Sequence, residues 1–205
     1  MGLISNGSTI FDAGAMSAGF GGSMVFIKKL TASSSANLSF VHGASGVVLD
    51  STYKEYLFTY NNIHPQTNNA QFNINFSADS GSNYNVQKTN TIFLSQHGES
   101  TETSVGIFYK DTLDLANGTG NLMINVDSGS DADQSTSGYI TVFNPSSTTF
   151  VKHFISNNNY SQSGDYSIQS FVAGYGNTTS AINAVQFNMN TGNIDAGDIC
   201  LYGIA

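Results

Sequence analysis

The chain has 205 residues with six Lys plus Arg and fourteen Asp plus Glu, so only 10% of it is charged and the net charge is −8. An ordinary soluble domain carries roughly 25% charge, and here Ser, Thr, Asn and Gly take its place, at 28, 18, 23 and 21 residues. With no basic stripe to neutralise phosphates, the composition argues against nucleic-acid partners and anionic membrane surfaces, and the lone Cys200 permits neither an internal disulfide nor a zinc cluster.

Residues 1–23 hold no early Lys or Arg and no continuous apolar stretch, which argues against a secretory signal or a transmembrane helix. Gly2 opens a stretch resembling a myristoylation signal, but Asn6 stands where Ser or Thr is wanted. This segment, rich in Gly and Ala, reads as an arm that gains order by packing on a partner, with Gly2, Leu3, Ile4, Ile10, Phe11 and Phe20 as its assembly contacts.

Beyond the arm the chain reads as one domain over residues 24–205. Runs rich in β-branched and aromatic residues predict strands at Met24–Leu30, Asn37–Val41 and Tyr53–Tyr60. Strict alternation at Gln71–Phe76 sets Phe72, Ile74 and Phe76 on a buried face and the amides between them on a wet one. Further strands are expected at Thr91–Leu94, Val105–Tyr109, Leu122–Val126 and Tyr139–Phe143. Phe150–Ile155, Ser167–Val172, Val185–Asn190 and Ile199–Ile204 complete a set of about twelve.

Turn clusters separate these runs, among them Asp79–Asn83, Asp127–Asp131 and Asn157–Asn159. Helical periodicity is nearly absent. The pattern predicts an all-β fold, an antiparallel β-sandwich of jelly-roll type. The nearly continuous apolar runs Tyr53–Tyr60 and Phe150–Ile155 suit strands covered on both faces, one face meeting the second sheet and the other a neighbouring subunit or a loop.

Chemistry-bearing residues are scarce. Of His42, His64, His97 and His153, none sits by a nucleophile elbow. His64, in Ile63-His64-Pro65, reads as a surface or capping residue, and His153 as a packed or interface one. Glu55, Glu99, Glu102, Asp111 and Asp114 form no pair that spacing selects for glycoside hydrolysis. Asp127, Asp131 and Asp133 gather three carboxylates that are a candidate calcium loop, although a solvated hairpin tip explains them more simply. Tyr84, Tyr160 and Tyr175, beside amide-rich turns, are candidates for stacking on a glycan. The six Asn-x-Ser/Thr sequons follow from composition alone. No catalytic residue and no cofactor is expected.

Four stretches resemble a known family: Gly22–Ser33, Tyr53–Pro65, Phe143–Ile155, and Gly192–Gly197 running on to Leu201–Ile204. Together they are similar to virion structural proteins of marine tailed bacteriophages, notably those infecting cyanobacteria, with the segments in the family's order. The resemblance implies a non-enzymatic protein located in the virion. The expected role is a surface-displayed decoration or fibre subunit, a homo-oligomer with a trimer favoured, in contact with other virion proteins such as major capsid or tail proteins. The alternative is an adsorption module that binds host cell-surface glycan. Because charge is sparse, stability is expected to depend little on salt.

Overall fold

Runs of Val, Ile, Phe, Tyr and Thr broken by Gly, Asn, Asp and Ser favour strands over helices, and the computed structural model of the chain is built from strands. It describes residues 3–5, 8–12, 15–16, 23–100 and 105–205. Near the N-terminus β1 (Leu3–Ser5), β2 (Ser8–Asp12) and β3 (Ala15–Met16) form a three-stranded antiparallel sheet. Of the expected assembly contacts, Leu3 and Ile4 lie on β1 and Ile10 and Phe11 on β2, while Gly2 and Phe20 lie outside the described residues.

Twelve strands follow among the described residues. They are β4 (Met24–Thr31), β5 (Asn37–Val41), β6 (Glu55–Pro65), β7 (Phe72–Ser77), β8 (Lys88–Gly98), β9 (Gly106–Tyr109), β10 (Leu122–Met123), β11 (Thr136–Phe143), β12 (Lys152–Gln162), β13 (Tyr166–Gly176), β14 (Ala184–Met189) and β15 (Ile194–Ile204). Each expected run overlaps one of them. A four-stranded sheet is ordered β10-β7-β14-β5, and an eight-stranded sheet β4-β15-β6-β11-β12-β13-β8-β9, with antiparallel pairing throughout.

The core lies between these two sheets. Phe187 of β14 stacks on Phe72 of β7 within the small sheet, with ring centroids 5.6 Å apart. It also meets Phe58 and Tyr60 of β6 in the large sheet, at 5.6 and 6.4 Å. Phe40 against Phe58 and Phe76 against Phe154 repeat the contact between sheets. Such ring pairs add to the area term that drives burial.

Polar side chains inside the molecule are tied to one another. Asn125 is fully buried; its Oδ1 accepts from the Phe72 amide, and its Nδ2 donates to the hydroxyls of Ser128 and Thr136. Asn158 Nδ2 donates to Ser170 Oγ and the Ile124 carbonyl. These bonds offset the desolvation that burying an amide entails.

Two expectations are corrected here. Asn157–Asn159 is not a turn but the middle of β12, since each amide finds a partner across the strands: Asn157 Oδ1 accepts from Gln169, and Asn159 Nδ2 donates to the Ile168 carbonyl. The amides of β7 are not wet either. Asn73 and Asn75 are buried, and Asn75 is covered by the chain between β9 and β10, where its Nδ2 donates to Thr119 O and Asn121 Oδ1.

Candidate functional site

Period-two alternation along a strand decides which side chains leave the core, and the register between strands decides which of them become neighbours. On the outer face of the eight-stranded sheet, two adjacent rows come into line. One runs Tyr202, Leu57, Thr141, Ile155, Ala173, Thr91 across β15, β6, β11, β12, β13 and β8. The other runs Cys200, Thr59, Tyr139, Asn157, Phe171, Phe93, Tyr109 and reaches β9. From β15 to β9 neither row holds a charged side chain; on β4 the second row ends at Lys29, the partner of Cys200.

Along these rows large apolar groups face solvent. Ile155 is 51% exposed, Tyr139 42%, Phe93 40% and Tyr109 61%. Phe93 and Phe171 stack with centroids 4.7 Å apart. Phe26 on β4 continues the first row and meets Tyr202 edge-on at 5.7 Å. Seven strand spacings of ~4.8 Å make the band roughly 34 Å long. Two shallow grooves indent it, of about 310 Å³ beside Phe93, Ile155 and Phe171 and about 560 Å³ beside Leu57, Thr59 and Glu55, with Tyr139 common to both. Large exposed apolar patches are uncommon on monomers and are found at interaction surfaces.

On β12 Lys152 and Phe154 turn inward, while His153 and Ile155 turn out, with His153 edge-on to Tyr175 at 6.0 Å. The other histidines hold backbone: His42 Nδ1 accepts from the Leu49 amide, His64 Nδ1 bonds the Gln134 carbonyl, and His97 Nδ1 bonds the Gly98 carbonyl. Glu102 lies outside the described residues. Asp114 accepts from the Tyr109 hydroxyl.

The three glycan candidates do not form one surface. Tyr160 is buried, because even spacing from Phe154 sets it on the core face of β12, and its hydroxyl accepts from the Val126 amide. Tyr84 and Tyr175 are half-buried, in the β7–β8 connection and on β13. Nor does the calcium loop assemble: among the described residues no three His, Cys, Asp or Glu side chains are grouped as a metal site. Asp131 is instead tied to Gln134, its amide donating to Oε1 while its carbonyl accepts from the Gln134 amide.

Two lysines are buried without a carboxylate beside them. Lys152, Gly176 and Lys88 are successive partners in one cross-strand row. Lys88 Nζ donates to Asn75 Oδ1 at 2.6 Å and to the Val86 carbonyl at 2.7 Å, and Lys152 Nζ donates to the carbonyls of Phe150 and Thr178. Burial lowers the Lys88 pKa to about 8 and shifts Lys152 in the same direction.

Comparison with protein-family models, curated proteins and solved structures returns no match, so the functional reading rests on these surfaces. The outward turn of Ile155 was legible in the alternation of its strand. The alignment of Tyr139, Phe171 and Phe93 with it was not, since these residues are far apart in sequence and meet only through register.

Proposed function

We propose that this chain is a non-enzymatic structural subunit of a tailed-phage particle. It is located in the virion, displayed at the surface as a homo-oligomer, a trimer by preference, and docked on capsid or tail proteins. The observation that carries this reading is the apolar band on the outer face of the eight-stranded sheet. A second copy packed against that band removes Ile155, Tyr139, Phe93 and Phe171 from water, at about 25 cal/mol per Å² of apolar surface, and a standard interface takes about 800 Å² from each partner.

Strand order adds support for a jelly-roll reading of the fold. β4-β15-β6-β11 and β10-β7-β14-β5 form two four-stranded groups between which the chain alternates, the arrangement of a jelly roll, which recurs in capsid and lectin domains. On that reading β8–β9 and β12–β13 are additions that widen one sheet. They carry Ile155, Phe171, Phe93 and Tyr109, so the widening supplies most of the apolar band. Fold alone does not assign function; the band is what supports this reading. Sparse charge agrees with it, because identical subunits that crowd together then meet few like-charge penalties.

The test is sedimentation of the purified chain at micromolar concentration, alongside a variant carrying Ile155→Glu and Phe93→Glu. Both positions are solvent-facing, so the variant is expected to keep its strand signal by circular dichroism. The parent chain should sediment as an oligomer and the variant as a monomer. A monomeric parent, or a variant that stays oligomeric, overturns the assignment of this face.

A further inference from the structure

The edge of a sheet is a row of unmet hydrogen-bonding groups, and natural proteins blunt it with charge, shortness or a bulge. The four-stranded and eight-stranded sheets end on β10, β5, β4 and β9. β4 carries Lys28 and Lys29 in mid-strand, β10 is only Leu122–Met123, and β5 turns Asn37 and Ser39 outward. β9 has no such protection. Its residues Gly106, Ile107, Phe108 and Tyr109 carry no charge and are all exposed, Ile107 at 76%, and Val105 before them is exposed too. We infer that β9 is a strand-pairing site whose partner is β9 of a second copy of this chain, antiparallel to it across a twofold axis.

The backbone of β9 is set for that pairing. In an antiparallel ladder, pairs that exchange both hydrogen bonds alternate with pairs that exchange none. Tyr109 stands opposite Phe93 and Ile107 opposite Ser95, and one step further the Lys110 amide donates to the Ile92 carbonyl. Lys110 is thus in an exchanging position, and so by alternation is Phe108. Tyr109, Ile107 and Val105 fall between these positions. Their N–H and C=O groups point away from β8, where among the described residues nothing meets them.

A second β9 matches this row. With Ile107 opposite Ile107 of the other copy, Val105 meets Tyr109 and Gly106 meets Phe108, so residues 105–109 pair wholly among themselves. Every residue whose backbone points outward then meets another of its kind, and each copy gives the bonds it receives. The side chains agree with this register. Val105, Ile107 and Tyr109 lie on the face that holds Phe93, so apolar and aromatic groups adjoin across the new pair. Moving the centre to Phe108 instead sets Val105 against the Asp111 carboxylate.

A strip of residues 105–109 covers far less than the roughly 800 Å² that a standard interface takes from each partner. Edge pairing is therefore weak: copies stay apart at micromolar concentration and join at high local concentration. It is a separate contact from the one through the outer face of the sheet.

Amide hydrogen exchange by NMR tests it, on the full chain carrying Ile155→Glu to remove the outer-face contact, between about 10 μM and about 1 mM protein. Protection of the Val105, Ile107 and Tyr109 amides should rise with concentration, by about threefold or more, while Phe108, already bonded to β8, stays protected throughout. Adding Ile107→Pro deletes an N–H that the ladder to β8 does not use, so Val105 and Tyr109 should then exchange fast at every concentration. Should Phe108 lose its protection in that variant, Ile107→Lys serves in its place, since it keeps the N–H and sets like charges opposite each other. Exchange at Val105, Ile107 and Tyr109 that ignores concentration overturns the inference, as does a rise in protection that survives the change at Ile107. Whether the parent chain associates through its outer face is read separately, by sedimentation.

Discussion

The sharpest physical test concerns Lys88, an ammonium sealed between the two sheets with only neutral oxygens around it. In the unfolded chain its pKa is 10.5, and in the fold burial lowers it to about 8. Between those values the unfolded state binds one more proton than the folded state, so stability rises with pH across the window. One full proton corresponds to about 1.4 kcal/mol per pH unit, but at pH 8 Lys88 is still half protonated in the fold, so from pH 8 to pH 9.5 the gain is roughly 1.5 kcal/mol. Toward pH 9.5 the buried Tyr60 and Tyr160, pushed up by burial, begin to oppose the gain, because in the unfolded chain they start to ionise below their ordinary pKa of 10.0; that part is common to parent and variant. Urea unfolding of the parent chain and of Lys88→Met at half-unit pH steps reads the slope directly. The variant should lose most of it and keep a smaller part from Lys152, whose shift has the same sign. Methionine also leaves Asn75 Oδ1 and the Val86 carbonyl without their donor, so the absolute stability at pH 7 changes as well; only the slope is diagnostic. An equal slope in both proteins refutes the argument, because Lys88 would then enter the fold with its ordinary affinity for protons.

Other outcomes follow from the same packing. Phe187 is fully buried and touches rings from both sheets, so Phe187→Ala should cost about 3–5 kcal/mol; a loss under about 1 kcal/mol by urea unfolding would mean that the sheets do not close on this ring. Lys29–Asp198, half-exposed on both sides, is the one ion pair among the described residues, so the midpoint of thermal unfolding should move little between low and molar NaCl. A steep fall would contradict that.

Particular elements show where sequence reasoning reaches and where it stops. The strand at Val185–Asn190 was legible because Val185, Phe187 and Met189 alternate with polar residues, and all three are buried. Asn157–Asn159 was misread because three consecutive asparagines carry a turn signal, which the neighbouring β13 overrides by pairing both backbone and amides. Tyr160 enters the core with Asn158, because both lie an even number of residues from Phe154 on the same strand.

The sequence by itself determined that this is a chain of strands, about where they lie, and in most of them which side chains alternate inward, because a period of two is a local property of extended backbone. It also determined the scarcity of charge. Only the tertiary structure decided that Leu57, Tyr139, Ile155, Phe171 and Phe93 form one apolar face, and that the amides of β7 and of Asn158 on β12 are buried. Those outcomes depend on register and sheet order, which are fixed by hydrogen-bond ladders between residues far apart along the chain.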